Sequence, residues 1–125
     1  MFSRHASGVI LIIDFTATEG TEVRREIPLH PDENRTGDIW HVRLETGLDH
    51  FFYGYRMDGP FSPAHNGLIY DPDTILIDPY CSRLLPRKWG EKCRYGKAPS
   101  CTPVKQDFDW EGDRPLNTQI GRAHV

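Results

Sequence analysis

An all-β fold follows from three features of this sequence. Ten prolines and eleven glycines in 125 residues cut the chain into short pieces, which suits strands and turns better than long helices. Val9 to Ile13 is an unbroken apolar run rich in β-branched side chains, the composition of a buried strand. Farther on, Trp40, Val42 and Leu44 alternate with His41 and Arg43, and an aromatic stretch from Phe51 to Met57 follows. Such alternation is the period of a strand with one face buried.

Taken in order, residues 7–15 are predicted to form a buried strand, and a turn containing Gly20 leads out of it. Residues 22–29 are mostly polar and carry Pro28 near their end, so they suit an edge strand with one wet face. Residues 30–38 are dense in turn formers and read as a loop. Residues 39–44 and 51–57 are expected to pair as a hairpin around Thr46-Gly47-Leu48-Asp49. In the second of these strands Phe51, Tyr53, Tyr55 and Met57 share one face, and Phe52, Gly54 and Arg56 the other. Asp58-Gly59-Pro60 stops it. Residues 74–77 suit either a short strand or one helical turn, and the turn is favoured because strand length is marginal and Pro79 closes it. From 86 to 118 no period is sustained, and Trp89, Tyr95, Phe108 and Trp110 lie scattered among Lys, Gly and Pro. So long a patternless stretch reads as a linker that docks on a neighbour.

The bulk properties narrow the function. A hydrophobic share of 38% with 26% charged residues is that of one soluble globular domain. The net charge of −3 argues against a nucleic-acid surface, which needs a basic excess, and against an anionic membrane. Val9 to Ile13 is far too short to span a bilayer, and the first residues lack the apolar core of a secretory signal. Cys81, Cys93 and Cys101 are odd in number and show no CxxC spacing, so reduced thiols are expected. No cofactor or metal is expected. Asp107, Asp109, Glu111 and Gly112 imitate the opening of a calcium loop, but Thr118 stands where its last ligand would be and Pro115 interrupts it. No G-x-S-x-G elbow is present. Asn34-Arg35-Thr36 is formally a glycosylation sequon, read here as part of a loop.

Three segments carry a resemblance. They are Asn34-Arg35-Thr36-Gly37-Asp38-Ile39-Trp40-His41, then Tyr53-Gly54-Tyr55-Arg56-Met57-Asp58-Gly59-Pro60, then Ile75-Leu76-Ile77-Asp78-Pro79-Tyr80. In order and spacing they resemble the N-terminal region of isoamylase-type starch and glycogen debranching enzymes, which belong to glycoside hydrolase family 13. Phe2-Ser3 with Ala6, and Asp109-Trp110-Glu111-Gly112-Asp113, add to the likeness, which covers about residues 2–118. The third segment departs from the pattern by having Cys81 where alanine is usual.

The resemblance implies an immunoglobulin-like β-sandwich of the carbohydrate-binding-module-48 type over residues 1–85. Residues 86–118 would lead to a catalytic barrel. The parent protein would hydrolyse α-1,6 branch points with carboxylates in that barrel, since retaining chemistry needs two of them about 5 Å apart. No catalytic residue is carried over to this chain. Both ends read as truncated, with Met1 replacing the end of a strand and residues 119–125 a non-native tail. An open edge and poor solubility are expected consequences. The motif residues Asn34, Gly37, Asp38, Gly54, Asp58, Gly59, Pro60, Asp78, Pro79 and Tyr80 are expected to be structural.

Neutral glucan rings stack on aromatic faces. Trp40, Tyr53, Tyr55, Trp89 and Trp110 are therefore the candidate carbohydrate contacts, with core packing or docking on the barrel as the competing role of each. In glycogen-binding modules of this type a lysine stands at the place of Gly54, so weak binding is expected here. The expected partners are an α-glucan (glycogen, amylopectin or limit dextrin) and the parent's own barrel, in cytoplasm or plastid. A free-standing glycogen- or starch-binding regulatory module is the alternative.

Overall fold

The computed structural model describes residues 1–17, 20–85, 90, 98–101, 109 and 111–112. The described residues form strands and turns and contain no helix. The strands are β1 (Gly8–Thr16), β2 (Glu22–Leu29), β3 (Arg35–Thr36), β4 (Ile39–Trp40), β5 (Phe52–Asp58), β6 (Phe61–Ser62), β7 (Leu68–Ile69), β8 (Arg83–Leu84) and β9 (Ser100–Cys101). The main sheet is antiparallel throughout, in the order β2-β1-β5-β9-β8. The predicted edge strand does lie at an edge of this sheet.

β1 lies between β2 and β5, and register fixes its two faces. Val9 and Leu11 stand opposite Met57 and Tyr55 on one side and Leu29 and Ile27 on the other. Ile10 and Ile12 stand opposite Arg56 and Gly54. The first face carries the larger core, in which Ala6, Val9, Leu29, Trp40 and Met57 are buried. The second carries Ile12, Ile75 and Ala98. Covering both faces explains why the run reads as continuously apolar instead of alternating.

A small second layer covers the larger core. β3 and β4 form a tight ribbon across Gly37 (φ 61°) and Asp38, and Phe2 bridges to Ile39 on the ribbon's far side. Trp40 projects from this layer into the core. A second ribbon, β6–β7, brings Tyr70 back against Gly59 and Ser3, with 2.9 Å between the Tyr70 and Ser3 hydroxyls. This two-layer, all-β arrangement is that of an immunoglobulin-like sandwich.

Two expectations are corrected. Residues 39–44 do not pair with 51–57: β4 pairs with β3, and β5 pairs with β1. The turn at Gly37 brings β3 and β4 together within six residues, so the nearer partner is reached first. The strand also stops at Trp40, although burial continues to alternate through Leu44. Residues 74–77 are not a closed turn. Leu76 makes a β-bridge to Tyr55, each N–H bonding the other's carbonyl, at 2.7 and 3.1 Å. On its other side β5 pairs with Ser100 and Cys101 of β9.

The segment from Ala98 is pinned from below. Asp14 is 7% exposed and accepts two bonds from the Arg24 guanidinium, at 2.6 and 2.8 Å. It also accepts the Ala98 N–H at 2.6 Å. A buried carboxylate persists only when paired in this way, and the pairing holds the Arg24 guanidinium above its usual range.

Candidate functional site

The aromatic strand lines one wall of a cleft of about 460 Å³ on the larger-core face. Phe51, Tyr53 and Tyr55 form that wall, with successive ring centroids 6.2 Å apart and the rings edge-on to one another. Trp40, Val42 and Leu44 form the other, with His41 at the rim. Among the described residues, no lysine or arginine lines the cleft, and Asp78 supplies the one carboxylate. Such a surface suits neutral partners better than anions.

Asp78 organises the cleft's polar end. Its Oδ2 accepts the Tyr53 hydroxyl at 3.0 Å, and its Oδ1 accepts the Tyr80 N–H at 3.0 Å. Its own N–H donates to the buried Ser100 hydroxyl, also at 3.0 Å. The Asp-Pro-Tyr segment is thereby fixed to β5 and β9 at once. Pro79 is exposed, and Tyr80 is 87% exposed on this rigid turn.

Other motif residues make local contacts. The Asn34 side chain accepts the His30 N–H at 3.0 Å. Asp38 receives Arg4 at 3.0 Å and lies 3.7 Å from Arg35, whose guanidinium sits 5.3 Å from the Trp40 ring centre. Asp58 caps the end of β5 by accepting the Gly59 N–H at 2.8 Å, just before the exposed Pro60. Gly59 leaves room for Tyr70, whose ring carbons would lie 2.8–3.0 Å from an added Cβ. Gly54 is tighter still: an added Cβ would meet Ile75 Cγ2 at 2.7 Å and Pro99 Cδ at 3.0 Å.

The candidate carbohydrate contacts therefore part company. Trp40 is only 1% exposed, and its indole N–H reaches the Ser3 carbonyl at 3.3 Å. It is packed in the core and covered by Arg35. Tyr53 and Tyr55 are half-buried on the cleft wall. Trp89 and Trp110 lie outside the described residues. The aromatic rings that do stand in solvent among the described residues are Phe2, Phe61 and Tyr80, at 61%, 68% and 87% exposure. Phe2 and Phe61 were not legible as exposed, because two-residue pairings are too short to display a period.

Burial raises the Tyr53 phenol, helped by its bond to the Asp78 carboxylate, and pushes Tyr55 up to about 12. A phenol held neutral in the fold stabilises it fully below the unfolded value of 10.0, and that contribution is lost as pH rises toward about 12. Two of the five tyrosines should therefore ionise last, together with loss of tertiary structure, in a near-ultraviolet absorbance titration. Tyr55→Phe should shrink that late step. All five ionising together near the free-phenol value in a still-folded chain would mean the cleft is open to water.

An all-β module with an aromatic-lined cleft is of the carbohydrate-binding kind. Residues 1–81 match the family described as carbohydrate-binding module 48 (isoamylase N-terminal domain), and the chain belongs to that family. Among curated proteins it is 41% identical to "Isoamylase 1, chloroplastic" of Oryza sativa subsp. japonica, over 78% of this chain and 13% of that one. It is 38% identical to the Arabidopsis thaliana protein of the same name, over 88% and 15%. Against the "Glycogen debranching enzyme" of Yersinia enterocolitica it is 37% identical, over 100% and 20%. The chain thus spans at most a fifth of the length of these relatives.

Proposed function

We propose that these residues serve as the accessory N-terminal module of an α-1,6-glucan debranching glycoside hydrolase. In this reading the module supports a catalytic barrel by packing and makes weak contact with glycogen, amylopectin or limit dextrin. The observation that carries it is the family match over residues 1–81, together with similarity to named isoamylase and debranching chains that extends over the whole sequence. The plant relatives are named as chloroplastic, so plastid stroma and bacterial cytoplasm are the two compartments proposed.

Weak glucan contact is favoured for a physical reason. A lasting sugar site combines a free aromatic face with several hydrogen-bonding groups. Here the most exposed ring among the described residues, Tyr80, stands apart on its turn, while Trp40 and Gly54 are enclosed by neighbours. The 125 residues should be poorly retained on immobilised amylopectin and should release no reducing sugar from pullulan. Retention at micromolar affinity would instead favour a free-standing binding module. Hydrolysis of pullulan would overturn the accessory reading.

A further inference from the structure

The turn that closes the β6–β7 ribbon places an amide side chain beside an unhindered backbone nitrogen. Residues 63–67 of this turn are exposed. The His65 and Asn66 N–H groups both donate to the Ser62 carbonyl at 3.2 Å, which holds the turn in shape. The Asn66 Oδ1 accepts the Ser62 hydroxyl at 2.5 Å and the Leu68 N–H at 3.2 Å. Two donors on one amide oxygen draw electron density away from its carbonyl carbon. The next residue is Gly67, at φ 71°, where an added Cβ would meet nothing within 4 Å. Its N–H has no acceptor among the described residues. We infer that Asn66–Gly67 is a self-modification site, where the chain releases ammonia and becomes aspartyl or isoaspartyl with water as its only co-reactant.

The nucleophile is the Gly67 nitrogen and the electrophile is Asn66 Cγ, so the reaction is intramolecular. A new Cγ–N bond closes a five-membered succinimide ring. The Gly67 proton passes to water, the departing side-chain nitrogen takes a proton from water, and ammonia leaves. While the new bond forms, negative charge gathers on Oδ1, where the Ser62 hydroxyl and the Leu68 N–H already donate. Water then opens the ring. Cleavage at Cγ gives aspartate, and cleavage at the main-chain carbonyl gives isoaspartate. Either product gains a negative charge. The isoaspartyl branch also adds a carbon to the main chain within the turn that sets Phe61 opposite Ile69. A side chain on the following residue crowds the attacking nitrogen, and the other asparagines, Asn34 and Asn117, precede Arg35 and Thr118.

The test ages the full chain in warm neutral buffer and follows each asparagine by peptide mass spectrometry, with released ammonia as a second readout. Asn66 should convert first, to a mixture of aspartyl and isoaspartyl forms, while Asn34 and Asn117 lag. Ser62→Ala keeps the backbone bonds of the turn and removes one donor from Oδ1. It should slow conversion at Asn66 about three- to tenfold, the worth of one hydrogen bond in contact with water. In urea, where the turn is lost, Ser62→Ala and the parent should convert at the same rate. Asn66→Asp should release no ammonia from this site. The comparison among the three asparagines needs no variant, so it stands whether or not Ser62→Ala folds. Conversion at Asn66 no faster than at Asn34 and Asn117 would overturn the site. Equal rates for folded Ser62→Ala and parent, or a difference that persists in urea, would overturn the role given to the turn.

Discussion

Replacing Trp40 with alanine is expected to lower folding stability by about 3–5 kcal/mol, the range for emptying a site packed around a large aromatic ring. The side chain is 1% exposed and joins the second layer to Ala6, Val9, Leu29 and Met57. A domain of this size has roughly 5–15 kcal/mol to lose, so the variant should be largely unfolded at modest urea concentrations. Trp40→Phe should lose less, because it keeps most of the apolar contact and gives up the indole bond to Ser3 and part of the contact with Arg35. Urea titration followed by circular dichroism measures both. A Trp40→Ala protein as stable as the parent would show that the second layer is not seated on the sheet through this ring.

The second large effect is expected at Gly54. Its missing side chain is what lets the Ile75 and Pro99 segments cross β5 in contact with its backbone. Gly54→Ala should destabilise by about 1–3 kcal/mol through overpacking. Gly54→Lys should do more harm, since it also drives an ammonium toward Ile12, Ile75 and Ala98. It should create no glucan contact, because the position faces protein. The clash can be assigned by a double-mutant cycle. Ile75→Ala is destabilising alone, yet Gly54→Ala should be milder in its presence. Strictly additive losses would mean that Ile75 does not press on this position.

Much of the fold could be read directly from residues. The apolar run from Val9 to Ile13 needed a strand covered on both sides, and β1 is that strand. The polar pattern of residues 22–29 with Pro28 required an edge, since proline cannot donate to a continuing ladder. Faces within β5 followed from its period of two. Partner choice did not follow, because periodicity states which side of a strand is apolar and not which strand lies beside it. Residues 39–44 alternate well enough for a long hairpin with 51–57, but the Gly37 turn gave Ile39 and Trp40 a partner six residues away or less.

The candidate site divides along the same line. Aromatic residues were recognisable as candidates from composition alone, and the three motif segments were enough to place the chain in its family. Whether a given ring faces water depended on which segments fold over it. Arg35 lies on Trp40 because the β3–β4 turn returns it there, and Asp78 gathers Tyr53, Tyr80 and Ser100 across 47 positions of sequence. The amino-acid order on its own determined strand character, edge placement and family, since these rest on local periodicity and on fixed spacing along the chain. Strand partnership and the enclosure of Trp40 and Gly54 were decided only in three dimensions, where distant segments compete for the same apolar face and the same backbone bonds.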